Sequence, residues 1–188
     1  WCQLDIQPPV GKCYQDWRVA TALSVADNEE GGGGQRGFGV YRAASYEELI
    51  DYPVEMGQFT RAAFTACGVP HEVIISGRHD CDLERLTADL KRLCEWQICF
   101  FGEPAPMPRY LFLVTAVDSG YGGLEHRAST ALLCARDDLP YAGMKGTPES
   151  YRTFLGLCSH EYFHSWNVKR IRPAAFAASK LDAENYTS

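Results

Sequence analysis

Apolar and polar positions follow two periods along this chain, and the switches between them divide it. Up to about residue 75 the short period dominates. Trp17-Arg18-Val19-Ala20-Thr21-Ala22-Leu23, Glu55 to Phe64 and Glu72 to Ile75 read as strands, with a short helix at Ser45 to Ile50. From Asp82 to Phe101 the period becomes helical. Leu83, Leu86, Leu90, Leu93, Cys94 and Phe101 keep the i, i+3, i+4 spacing, Asp80 or Asp82 is placed to cap the start, and Gly102 with Pro104 marks the end. Tyr110 to Val117 is a near-continuous apolar run, as in a buried strand. Ser119-Gly120-Tyr121-Gly122-Gly123 reads as a turn and Leu124 to Cys134 as a further strand. A second helix follows: from Ser150 to Trp166 there is no Gly or Pro except Gly156, and Tyr151, Phe154, Leu155, Cys158 and Tyr162 form an apolar stripe. Thr147 is its expected N-cap, Pro148 its first helical residue and Glu149 an acid in its first turn.

Two stretches show neither period. Asp27 to Gly37, with four consecutive glycines at Gly31 to Gly34, reads as an irregular loop, and no Lys-Ser/Thr follows it to make a phosphate cradle. Lys169 to Ser188 is rich in alanine and polar residues without regularity. No segment repeats another.

Composition narrows the classes. The 188 residues suffice for one domain or parts of two, and 46% hydrophobic with 22% charged residues is ordinary for a globular protein. A net charge of -6 argues against nucleic acid as a partner. No apolar run approaches the length of a membrane span. The chain starts at Trp1, so any targeting segment would be hidden. None of the eight cysteines (Cys2, Cys13, Cys67, Cys81, Cys94, Cys99, Cys134, Cys158) forms a C-x-x-C pair, which argues against a thiolate zinc site. Free thiols fit a cytoplasmic setting, and disulfides stay open for a periplasmic one.

The candidate chemistry lies on the second helix. His160-Glu161-Tyr162-Phe163-His164 reads H-E-x-x-H. Residues four apart share a helical face, so His160 and His164 are placed to ligate one zinc ion, with Glu161 beside the attacking water as general base. The predicted helix is the context this motif requires. Lys169, Arg170 and Arg172 follow; as last-turn cations they are expected to satisfy helix carbonyls or pair with local acids rather than steer a substrate carboxylate. His71 and His79 have no ligand spacing to the motif.

A second constellation precedes it. Gly122-Gly123-Leu124-Glu125-His126 lies on an expected edge strand and resembles the G-x-M-E-N element of aminopeptidase N-like zinc enzymes, with His126 where Asn is usual. That resemblance implies that Glu125, with Gly123 beside it, binds substrate, the carboxylate pairing with a free α-amino group. His160 to Pro173, Tyr121 to Pro140 and Asp51-Tyr52-Pro53-Val54-Glu55-Met56-Gly57 further resemble the glycyl aminopeptidase family of zinc metallopeptidases. The family resemblance implies an α+β fold, the end of an N-terminal β-domain (residues 1–75) followed by the first half of a thermolysin-like domain (residues 76–188) with a mixed sheet over the H-E-x-x-H helix. It also implies a Zn2+ cofactor, a parent with a C-terminal PDZ domain, and release of small N-terminal residues, Gly or Ala, from peptides with a free N-terminus. The third zinc ligand is expected beyond residue 188, which would leave the fragment inactive; Glu184 is the alternative by spacing. A zinc endopeptidase and a non-catalytic peptide-binding protein are the competing expectations.

Overall fold

The computed structural model describes residues 1–26 and 35–171. The glycine-rich stretch, Arg172 and the Ala-rich tail with Glu184 lie wholly or mostly outside these residues.

The fold is α+β, as expected: a β-rich beginning followed by a mixed sheet with helices. Strands β1 (Cys2–Ile6), β2 (Arg18–Thr21), β3 (Ser24–Val25) and β4 (Gly39–Ala43) precede helix α1 (Tyr46–Asp51) and strand β5 (Val54–Gly57). They form two small antiparallel sheets, β1-β4-β3 and β2-β5, around a core of Ile6, Val19, Leu23, Phe38, Tyr41 and Ala43. Ser45 caps α1, its hydroxyl accepting from the Glu48 N–H at 3.1 Å.

Next come β6 (Phe59–Ala66), β7 (Val69–Ser76), α2 (Leu83–Phe101), β8 (Tyr110–Val117), β9 (Tyr121–Glu125), β10 (Ser129–Ala135) and α3 (Glu149–Phe163). The strands form a five-stranded sheet in the order β6-β7-β8-β10-β9, with β7, β8 and β10 mutually parallel and the two edge strands antiparallel to their neighbours. The apolar run of β8, between two parallel neighbours, is buried from Tyr110 to Val114 and at Ala116, with Tyr162 of α3 packed on Tyr110 and Phe112.

Several element limits differ from those the pattern predicts. Glu55 to Phe64 is two strands, not one. Gly57, at φ 151°, ends β5 in the small sheet, and β6 enters the large one. Leu124 to Cys134 is likewise two strands, a β9–β10 hairpin closed by the His126 N–H donating to Ser129 O at 3.0 Å. Tyr121 to Gly123 lie in β9 rather than in a turn. α3 starts one residue late, with extended Pro148 as its N-cap and no side-chain cap from Thr147, and it ends at Phe163.

The larger core lies between the sheet and its helices. α2 buries Leu86, Leu90, Cys94 and Ile98 on one face, and α3 buries Tyr151, Phe154, Leu157, Cys158 and Tyr162. At the centre His71, fully buried, donates Nδ1–H to Val69 O at 2.9 Å and so offers Nε2 to the Tyr162 hydroxyl at 3.0 Å. Burial pushes the His71 pKa down to about 4, so it is a neutral core residue. No helix among the described residues is long and apolar enough to cross a membrane.

Candidate active site

The last turn of α3 meets the edge strand β9. His160 and His164 turn their Nε2 atoms towards each other at 3.1 Å, with ring planes at 90°. Two nitrogens bound to one tetrahedral zinc at 2.0–2.1 Å would stand about 3.3 Å apart, so this pair fits such an ion with almost no movement. His164 is fixed from behind: its Nδ1–H donates to Asn167 O at 3.0 Å, which leaves the lone pair on Nε2. His160 is exposed, so the open side of the pair faces solvent. Among the described residues no third His, Cys, Asp or Glu closes a cluster with these two.

Glu161, next to His160 in the chain, is only 4% exposed. Its carboxylate lies directly over Gly123 of β9. A Cβ on Gly123 would stand 2.6 Å from Glu161 Cδ and 2.7 Å from Cγ, closer than real side chains pack. A larger residue here would therefore push the Glu161 side chain out of its present position. Burial raises the Glu161 pKa; the two histidines oppose that rise and Glu125 adds to it.

Side chains alternate along a strand, so Glu125 shares the face of Gly123 and lies on the Glu161 side of β9. It does not stand free. Lys169 Nζ is 3.7 Å from Glu125 Oε1 and 3.0 Å from Asp51 Oδ1. Asp51 Oδ2 also accepts the Arg127 N–H at 2.8 Å, and its Oδ1 is 3.9 Å from His126 Nδ1. Burial alone would raise the Asp51 pKa, but these donors and the Lys169 ammonium hold it down to about 2. The end of α1 thus clasps both the end of β9 and the segment after α3.

The sequence-predicted residues His160, Glu161, His164, Gly123 and Glu125 come together at one place. His126 is buried against Asp51 and does not join the histidine pair. His79 bonds Thr60 Oγ1 at 3.0 Å, away from it. Lys169 pairs with acids, as expected of it; Arg170 instead donates to Ser165 O, Arg127 O and Pro106 O, all carbonyls outside α3. Asp51 was missed. Its only signal in the sequence was its place in the Asp51-to-Gly57 junction.

Comparison with known proteins gives a consistent picture. A model of the M61 glycyl aminopeptidase family matches residues 153–188, and a model of the peptidase M61 N-terminal domain matches residues 1–58. A crystal structure of an aminopeptidase N family protein from Idiomarina loihiensis is 47% identical over 91% of this chain, with a TM-score of 0.82; the chain spans 28% of that protein's length. Aminopeptidase A from Legionella pneumophila, solved with aspartic acid, shares the fold at 16% identity and a TM-score of 0.54, over 79% of this chain and 18% of that one. No curated protein matches the chain.

Proposed function

The chain belongs to the M61 glycyl aminopeptidase family, and from that premise we propose that it carries the catalytic helix and amine anchor of a zinc aminopeptidase acting on peptides with small first residues, Gly or Ala. The observation that carries the reading is the meeting of α3 with β9: two Nε2 atoms 3.1 Å apart, and a buried carboxylate held close against the backbone of Gly123.

In this reading His160 and His164 hold the ion. When bound, zinc polarises the scissile carbonyl and acidifies the attacking water. Glu161 takes the proton of that water and hands it to the departing amine. Glu125 receives the substrate α-ammonium on the same side of β9, which fixes the register for removing one residue at a time. A third ligand comes from outside the described residues, where Glu184 lies, or from sequence beyond Ser188.

The proposal includes two structural units. Against the join expected near residue 75, we favour one near residue 58. The reasons are that β6 and β7 hydrogen-bond into the sheet that carries β9, and that the N-terminal family model ends there.

The test is zinc content and hydrolysis of Gly- and Ala-p-nitroanilide by the full-length protein and by residues 1–188, with Glu161→Gln in the full-length protein. One zinc per chain, and activity lost in the variant, are expected. Equal cleavage of N-acetylated peptides would convert the reading to an endopeptidase. Absence of both zinc and hydrolysis would leave a peptide-binding protein.

A further inference from the structure

The fold also brings together two cysteines and a glutamate that the proposed peptidase chemistry does not use. Cys67 and Gly68 form the two-residue turn between β6 and β7, both at positive φ, 44° and 76°. Gly, Asn or Asp is usual at such a position, and a cysteine takes it at a steric cost. α2 packs against β6. Its last turn carries Cys99, and Glu103 follows its end. The two Sγ atoms and a Glu103 carboxylate oxygen all lie within 4.8 Å of one another. Cys99 and Glu103 are exposed and Cys67 is half-buried, so the group is open to solvent. Both thiols are free.

A close thiol pair can take a disulfide or a cation, and the local field distinguishes them. Oxidation proceeds through the thiolate. The carboxylates of Glu103 and Glu95 stand close enough to Cys67 to act on it electrostatically. The carbonyl end of α2 adds further negative potential. That field opposes a free thiolate and attracts a positive ion, which would itself strip the thiol protons. Two sulfurs and a carboxylate oxygen form a donor set suited to zinc. Around a tetrahedral zinc, sulfur and oxygen ligands stand about 3.6–3.8 Å apart, so the three side chains need to close by no more than about 1 Å.

We propose that Cys67, Cys99 and Glu103 form a second, non-catalytic site for a thiophilic divalent cation of the zinc class, clamping the β6–β7 turn to the end of α2. Each thiol loses its proton to solvent as its sulfur binds the ion; nothing is oxidised, and water completes the coordination. The cysteines are 32 positions apart, which is why no motif announces the site.

Cobalt(II) is the probe, titrated into the reduced, metal-stripped full-length protein. The His160–His164 pair offers no sulfur, so a thiolate-to-cobalt charge-transfer band reports this site separately from the catalytic one. The band is expected in the parent and in His160→Ala. It should vanish in Cys67→Ser and in Cys99→Ser, and Glu103→Gln should weaken cobalt binding at least tenfold. Cys99 is exposed, so its variant should stay folded, which circular dichroism checks. No band at saturating cobalt would overturn the proposal. So would a band that survives both serine variants, or a Cys67–Cys99 disulfide in air with no cobalt affinity after reduction.

Discussion

α2 and α3 lie in the same core yet are built to different rules. α2 is a one-sided amphipathic helix. Leu86, Leu90, Cys94 and Ile98 face the core at successive spacings of four, Asp82 Oδ1 accepts the Arg85 N–H at 3.1 Å, and Trp96 and Phe100 are left on the solvent face. α3 has no side-chain N-cap and buries six side chains, one of them the Glu161 carboxylate. Burying a carboxylate costs stability unless it is partnered. α3 carries that cost in the turn that presents His160 and His164. The difference separates a helix that holds the fold together from one shaped by a site, where local rules are expected to be broken.

If that division is right, the two helices fail differently when damaged. Leu90→Ala leaves a cavity in a fully buried position of α2 and should cost about 2–5 kcal/mol. Chemical denaturation should show that loss, while turnover of Gly-p-nitroanilide by the protein that remains folded stays at the parent value. Gly123→Ala should do the reverse. The added methyl enters the space of the Glu161 carboxylate, and a displacement of about 1 Å at such a centre costs about a hundredfold in kcat. Its denaturation midpoint should move less than that of Leu90→Ala. Parent-level activity in Gly123→Ala would show that the close approach of β9 to α3 has no functional weight.

The same contrast explains what the sequence disclosed. α2 was readable because its reasons are local: a period of 3.6, an Asp at the start and a Gly at the end. The H-E-x-x-H pair was readable because four residues fix the relation of His160 to His164. Gly123 was readable only as a turn former or as part of a family-like strand. Its physical reason, the carboxylate of Glu161, lies 38 positions away and has no local trace. The β9–β10 corner was invisible because His126 to Ala128 contain no Gly, Pro, Asn or Asp to mark a turn, and the break after Gly57 because Phe59 continues the strand-like pattern. Asp51 and Lys169 are 118 positions apart, so only the fold reveals their contact.

That contact is the next test, since Asp51 joins α1 to the segment after α3. Its carboxyl is held at about 2 in the fold against an ordinary 3.8, so the folded state favours the charged form. The stability this gives is complete above about pH 4 and is lost as the pH falls from there through about 2. The shift corresponds to about 2 kcal/mol. Asp51→Asn should lower the denaturation free energy at pH 7 by about that amount and remove this part of the acid sensitivity. An unchanged stability profile between pH 2 and 5 would show that the clasp contributes nothing to the fold.

The smallest expected effect bears most directly on the two helices. Asp82→Ala removes the acceptor for the Arg85 N–H and should cost about 1 kcal/mol, the usual worth of an N-cap. Thr147 looks like the equivalent residue of α3 in the sequence, yet its side chain caps nothing, and Thr147→Ala should change stability by no more than about 0.5 kcal/mol. Measured together by urea denaturation, the pair separates cap chemistry from cap appearance. Equal losses would mean that Thr147 caps α3 in solution, and that α3 is anchored at its start in the same way as α2. Unequal losses would mean that α3 is held by its buried aromatic side chains. Its N-terminal turn could then be altered without disturbing the turn that carries His160, Glu161 and His164.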